Sequence, residues 1–180
     1  MKSVCVFCGS ADGVDEVHKQ FARDAGKLIA ELGLRLVYGG GDLGLMGLVA
    51  RTCEENGGEV VGVIPEFLNK AHIIRQTNGN HIVTEDMHDR KMRMFEMSDA
   101  FIALPGGIGT LEELTEIITL RQLGRHAKPI LMANIGGFWD PLIQLIQHMR
   151  DEGYVHAQYE IEFEVINSLQ DLTDFFQTLE

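Results

Sequence analysis

The sequence holds no apolar run long enough to cross a bilayer. Its β-branched stretches are short, and the first, Val4-Cys5-Val6-Phe7, runs straight into Gly9-Ser10-Ala11-Asp12-Gly13. No secretory leader is recognisable there, so a cytoplasmic location and no membrane partner are expected. Positive charge is scarce as well. Fifteen Lys and Arg face 27 Asp and Glu, a net charge of -12, with no basic stripe. Binding a polyanion needs such a stripe, so nucleic acid is not an expected partner. A small anion is still compatible, because backbone N–H groups hold phosphate whatever the overall charge.

Cysteine is also sparse. The three residues, Cys5, Cys8 and Cys53, are an odd number without disulfide-framework spacing. Cys5 and Cys8 form a CxxC, but inside SVCVFCGS, which reads as a buried strand. A redox or metal pair is expected at a helix start with further ligands nearby. The seven histidines are scattered without an HxxxH pair, so no metal site is expected. No Gly-x-Ser-x-Gly turn marks a serine nucleophile.

What is present is an alternation of short β-branched runs with amphipathic stretches, the pattern of a parallel sheet covered on both faces. The 180 residues, 45% of them hydrophobic, suit one domain spanning 1–180. SVCVFCGS, LRLVYGGG, EVVGVIP, HIVT, AFIALPGG, KPILMAN and EVIN read as strands. Between them, Phe21, Ala25, Leu28, Ile29 and Leu32 recur at helical spacing before Gly33 stops the first helix. Helical stretches also begin near Gly44, Met87, Thr110, Phe138 and Ser168. Residues 66–80 show no clean period. The expected fold is an α/β, Rossmann-like, doubly wound and mainly parallel sheet of about seven strands.

Two strands end in glycine turns that lead into helices, where open parallel sheets bind ligands. Gly39-Gly40-Gly41-Asp42-Leu43-Gly44 fits G-x-G-x-x-G. A dinucleotide site also wants an acidic residue at the end of the next strand, and Glu59 and Glu66 both sit poorly for it. In the second turn, Pro105-Gly106-Gly107-Ile108-Gly109-Thr110, three glycines permit close backbone approach to a ligand and Thr110 adds a hydroxyl. No Lys-Ser/Thr pair follows, which argues against a Walker loop and for a monophosphate.

Two side chains carry alternative readings. Thr110-Leu111-Glu112-Glu113 has the form of a capping box, in which Glu113 reaches back to the cap. The other reading turns Glu113 into the ligand cleft, against ribose hydroxyls or water. On the helix from Met87, positions 87, 90, 94 and 97 form one stripe of three methionines and Arg90. Arg90 either snorkels to water or points into a cleft to meet an anion. Lys91 flanks it and adds charge. The methionines read as core.

The stretch Leu104–Glu113 resembles the PGGxGTxxE signature of the Lonely Guy (LOG) family, and Met87–Lys91 resembles its MHxRK motif. Phe7-Cys8-Gly9-Ser10 and Tyr38–Gly47 are similar to further family segments, and the resemblance runs from the first strand to the helix near Arg150. It implies a homodimeric, cytosolic phosphoribohydrolase without a cofactor. Such an enzyme converts cytokinin riboside 5′-monophosphates, and often AMP, to free base and ribose 5-phosphate. It implies Arg90 and Glu113 as catalytic residues and Gly106, Gly107, Ile108, Gly109 and Thr110 as the phosphate cradle. It also places Lys91, Gly9, Ser10, Gly40, Gly41 and Met46 at the substrate. Relatives are often labelled lysine decarboxylase, but no lysine here stands in the context that pyridoxal phosphate chemistry requires. A molybdenum cofactor carrier shares the fold, so the alternative is a non-catalytic binding or carrier protein.

Overall fold

The structure is a computed structural model that describes residues 1–69, 81–156 and 159–178. Seven strands, β1 Ser3–Phe7, β2 Arg35–Tyr38, β3 Val60–Pro65, β4 His81–Thr84, β5 Ala100–Ala103, β6 Ile130–Ala133 and β7 Glu164–Ile166, form one sheet. Their order is β4-β3-β2-β1-β5-β6-β7, and every pairing is parallel. The expected doubly wound fold is observed.

Among the described residues there are seven α-helices, six between strands and the last after β7: α1 Glu16–Glu31, α2 Gly44–Glu55, α3 Glu66–Asn69, α4 Met87–Glu96, α5 Ile108–Gln122, α6 Asp140–Asp151 and α7 Leu169–Gln177. Alternation along β1 separates two cores. Val4 and Val6 face a cluster with Phe21, Ile29, Val49 and Phe175 from α1, α2 and α7. Cys5 and Phe7 face Met94, Leu114, Ile117 and Trp139 on the α4, α5 and α6 side. Burying both faces explains why these strands read as nearly continuous apolar runs.

Helix ends follow local chemistry. Asp15 caps α1 by accepting from the Val17 amide at 3.0 Å, and Gly33 follows its last turn at a φ of 64°. Of the two readings of Glu113, the capping box at Thr110–Glu113 is absent: the cap of α5 is Gly107, three residues before Thr110, and it makes no side-chain cap bond. A capping box does occur on α7, between Ser168 and Asp171. Of the stretch without a clean period, Glu66–Asn69 is helical and 70–80 lies outside the described residues.

Chain order reverses direction across the sheet between β1 and β5. At such a switch point the loops beyond the carboxyl ends of neighbouring strands diverge and leave a crevice. Here the loops after β1, β2 and β5 are tied together. Gly9 donates to Pro105 O at 3.0 Å, and Met46 donates to Gly9 O at 3.1 Å. Gly44, at a φ of 62°, lies so close that a Cβ there would stand 2.4 Å from the Ala11 nitrogen.

Candidate functional site

A cavity of about 470 Å³ opens at this switch point, within the roughly 300–1,000 Å³ of small-molecule sites. The loop after β1 contributes Cys8, Gly9 and Ser10, the loop after β2 contributes Gly39 and Gly41, and the first turn of α2 contributes Met46. Ile64 and Leu68 come from β3 and α3, Met87 and Arg90 from α4, and Gly107 to Thr110 with Glu113 from α5.

Arg90 projects inward from the first turn of α4, which Asp86 caps by accepting from the Asp89 amide at 2.8 Å. It is 5% exposed, so it does not snorkel to water. Its Nε donates to Val63 O at 3.0 Å and its Nη1 to Glu113 Oε1 at 2.5 Å. Nη2 packs against Gly39, where an added Cβ would lie 2.3 Å away. Glycine at 39 therefore makes room for the guanidinium.

Glu113 is 7% exposed and faces the same cavity from the second turn of α5. Burial raises its carboxyl above the ordinary glutamate range, and the Arg90 charge opposes that rise without cancelling it. Among the described residues only Arg90 bonds this carboxylate, and it does so through Oε1. Oε2 is left to act on a ligand or water.

The first turn of α5 lines the cavity, and among the described residues no side chain makes a cap hydrogen bond to its amides. Unpaired N–H groups at the positive end of a 15-residue helix make an anion site. Gly106 supports the turn from behind, since a Cβ there would meet Thr110 Oγ1 at 2.1 Å. Thr110 is itself buried. On the other wall, the Gly41 amide points at Met46 Sδ, 3.3 Å away.

Of the residues expected at the site, Arg90, Glu113, Gly107, Ile108, Gly109, Thr110, Gly9, Ser10, Gly41 and Met46 line this cavity. Three do not. Gly40 turns its back on it at a φ of 77°, packed against Ile64. Gly106 lines a neighbouring cavity of about 210 Å³ with His18 and Phe138. Lys91 points away, ion-paired with Glu112 and with Glu116 at 3.0 Å. Cys8, Gly39, Ile64, Leu68 and Met87 complete the lining; Met87, expected in the core, is exposed to the cavity, and Gly39 opens the first glycine turn. Burial pushes the Cys5 and Cys8 thiols up, so both pack as neutral groups. Among the described residues no cluster of His, Cys, Asp or Glu could hold a metal ion.

Residues 46–176 match the protein family described as possible lysine decarboxylase. A rice protein (Oryza sativa subsp. japonica), named a probable cytokinin riboside 5′-monophosphate phosphoribohydrolase, is 47% identical over 154 residues. That match covers 86% of this chain and 73% of the rice protein. A cytokinin riboside 5′-monophosphate phosphoribohydrolase of Arabidopsis thaliana is likewise 47% identical, over 86% of this chain and 68% of its own. In structure, the chain is similar to the molybdenum cofactor binding protein of Rippkaea orientalis, with a TM-score of 0.74, 20% identity and coverage of 99% and 98%. The Moco carrier protein of Chlamydomonas reinhardtii gives a TM-score of 0.72 at 22% identity, covering 99% and 98%. At those identities the likeness is one of fold.

Proposed function

This chain belongs to the Lonely Guy family of cytokinin riboside 5′-monophosphate phosphoribohydrolases, and from that premise we propose that its cavity hydrolyses the N-glycosidic bond of a nucleoside 5′-monophosphate. The products are the free base and ribose 5-phosphate. The substrate is a cytokinin riboside 5′-monophosphate or AMP. The observation that carries the reading is the buried Arg90–Glu113 pair standing beside an uncapped helix N-terminus in one cavity.

Each part has a chemical task. The amides from Gly107 to Thr110 hold the 5′-phosphate at the positive end of α5. As the C–N bond loosens, positive charge develops on the ribose ring, as in other glycosidic cleavages. The Glu113 carboxylate stabilises that charge, and Oε2 accepts a proton from the water that attacks the anomeric carbon. The departing base takes up a proton, which balances the hydrolysis. Arg90 holds Glu113 ionised and oriented, and Nη2 remains to orient the nucleotide. Gly9 and Ser10 stand beside the phosphate turn, Gly41 and Met46 add a further wall, and Ile64, Leu68 and Met87 give an apolar side for the base.

No helix among the described residues is long and apolar enough to cross a membrane. The family suggests a cytoplasmic homodimer, which sedimentation would test. Incubating the purified protein with AMP and with isopentenyl-AMP, followed by chromatography, tests the activity. Release of free base supports the reading. Intact nucleotide that nevertheless binds supports a carrier role instead.

A further inference from the structure

The Arg90–Glu113 pair has a second bridge alongside it. Lys91 follows Arg90 on α4, while Glu112 precedes Glu113 on α5 and Glu116 lies one turn beyond. Lys91 Nζ is ion-paired with Glu112 and, at 3.0 Å, with Glu116 Oε2. Its side chain is only 15% exposed, so the stem packs between the helices while the ammonium meets both carboxylates at the surface. Helix α4 rests on β3 and β4, and α5 rests on β1. The approach of one helix to the other near the cavity is therefore set by the side chains that reach across.

We propose that Lys91 is a positioning residue, whose bridge to Glu112 and Glu116 fixes α4 against α5 so that Arg90 and Glu113 meet at bonding distance, and that it does not touch the nucleotide. The proposal rests on the assignment of Arg90 and Glu113 as the reacting pair. It follows that an ammonium in a motif beside a phosphate site serves the carboxylate-bearing helix rather than the phosphate. Two further observations agree. Lys91 is absent from the cavity lining, and both of its partners lie on the helix that carries Glu113.

The charges facing Glu113 are Arg90 and Lys91 from α4, with Glu112 and Glu116 from its own helix; the Cys5 and Cys8 thiols of the β1 segment are neutral. Removing the ammonium frees two carboxylates of their counter-charge. This pushes the Glu113 carboxyl further up.

The test is Lys91→Met, which keeps the stem, assayed with AMP across pH beside Lys91→Arg and Glu112→Gln/Glu116→Gln. A clamp predicts that kcat falls about tenfold to a hundredfold, the scale of a small misplacement at a reacting centre, with KM little changed. The acid limb of the Lys91→Met pH profile moves to higher pH, and Lys91→Arg recovers most of the activity. Cutting the bridge from the α5 side also lowers kcat, and combining both changes adds little, as for residues of one network. Unchanged kcat in Lys91→Met overturns the proposal. So does a large rise in KM and in the inhibition constant of ribose 5-phosphate at unchanged kcat, which would put Lys91 on the phosphate. A crystal structure of Lys91→Met reads the clamp without turnover, since an unaltered Arg90–Glu113 contact also overturns it. Failure of the wild-type protein to cleave any nucleotide would sink the functional reading instead.

Discussion

Arg90 and Glu113 lie 23 residues apart on two helices, yet their Nη1 and Oε1 atoms are 2.5 Å apart with both side chains buried. Two charges taken out of water cost several kcal/mol each in desolvation, so such a pair is weak evidence of a stability role. Its position at the wall of a cavity is better explained by chemistry. Glu113→Gln keeps the shape and a hydrogen-bond acceptor for Arg90 but removes the carboxylate. Because Glu113 caps nothing and glutamine still accepts from Arg90, the variant should keep the fold at reduced stability and lose ~10²-fold or more in kcat, the scale of one lost electrostatic group. Circular dichroism with single-turnover kinetics on AMP checks both halves.

The direction of the Glu113 shift sets the pH dependence. Burial raises its carboxyl above the ordinary value of about 4.3. Catalysis uses the ionised form, so kcat/KM should fall on acidification at a pH above that ordinary value, while the protein is still folded. A pH–rate profile paired with tryptophan fluorescence separates the two events. An acid limb at or below the ordinary glutamate value would remove Glu113 as the base.

Gly39 yields a third expectation. A methyl group there would stand 2.3 Å from Arg90 Nη2 and 3.0 Å from Met46 Cε. Both contacts are with side-chain ends, so the fold survives while the guanidinium is displaced. Gly39→Ala should cost about 1–3 kcal/mol of stability, the usual range for overpacking. Its kcat/KM should fall well beyond what that loss of stability explains, because the displaced guanidinium no longer holds Glu113. Kinetics and urea unfolding of the variant beside the wild type decide it.

The sequence carried the fold because period and punctuation agree along it. Seven apolar runs alternate with helical stretches, and Gly33 falls where a left-handed residue is needed. Glycine turns after β1 and β2 blurred the strand ends. SVCVFCGS read as one strand, whereas pairing stops at Phe7 and Gly9 bonds to Pro105 instead. The capping box misled for a related reason. Thr and Glu at the right spacing suggest a cap, but Gly107 takes that place and Thr110 turns inward against Gly106. Arg90 stands out as one charge in a methionine stripe and Glu113 as a carboxylate at the glycine turn. Their direct contact is not legible, because no local pattern encodes a bond across 23 residues. The Lys91 bridge was hidden similarly, and a basic residue near a phosphate loop suggested the phosphate first.

The two members of the buried pair should not be equally costly to remove. Breaking a buried ion pair from one side typically costs about 3–5 kcal/mol, because the other charge is stranded. Glu113→Leu strands a guanidinium, which cannot shed its proton. Arg90→Met strands a carboxyl that burial already favours in its protonated form. Arg90→Met should therefore be the milder change, and its stability should depend on pH with a definite sign. With the folded-state affinity for the proton raised above that of the unfolded chain, stability is fully present below the unfolded value and declines as pH rises through the folded one. Glu113→Leu should show no such dependence from this site. Arg90→Met/Glu113→Leu removes both charges and fills similar volume, so its stability should return to that of the wild type or exceed it by about 1–4 kcal/mol, with activity abolished. Urea unfolding of the three variants at several pH values measures all of this. If the double variant is no more stable than the worse single one, the pair holds the fold together and its burial needs no catalytic explanation.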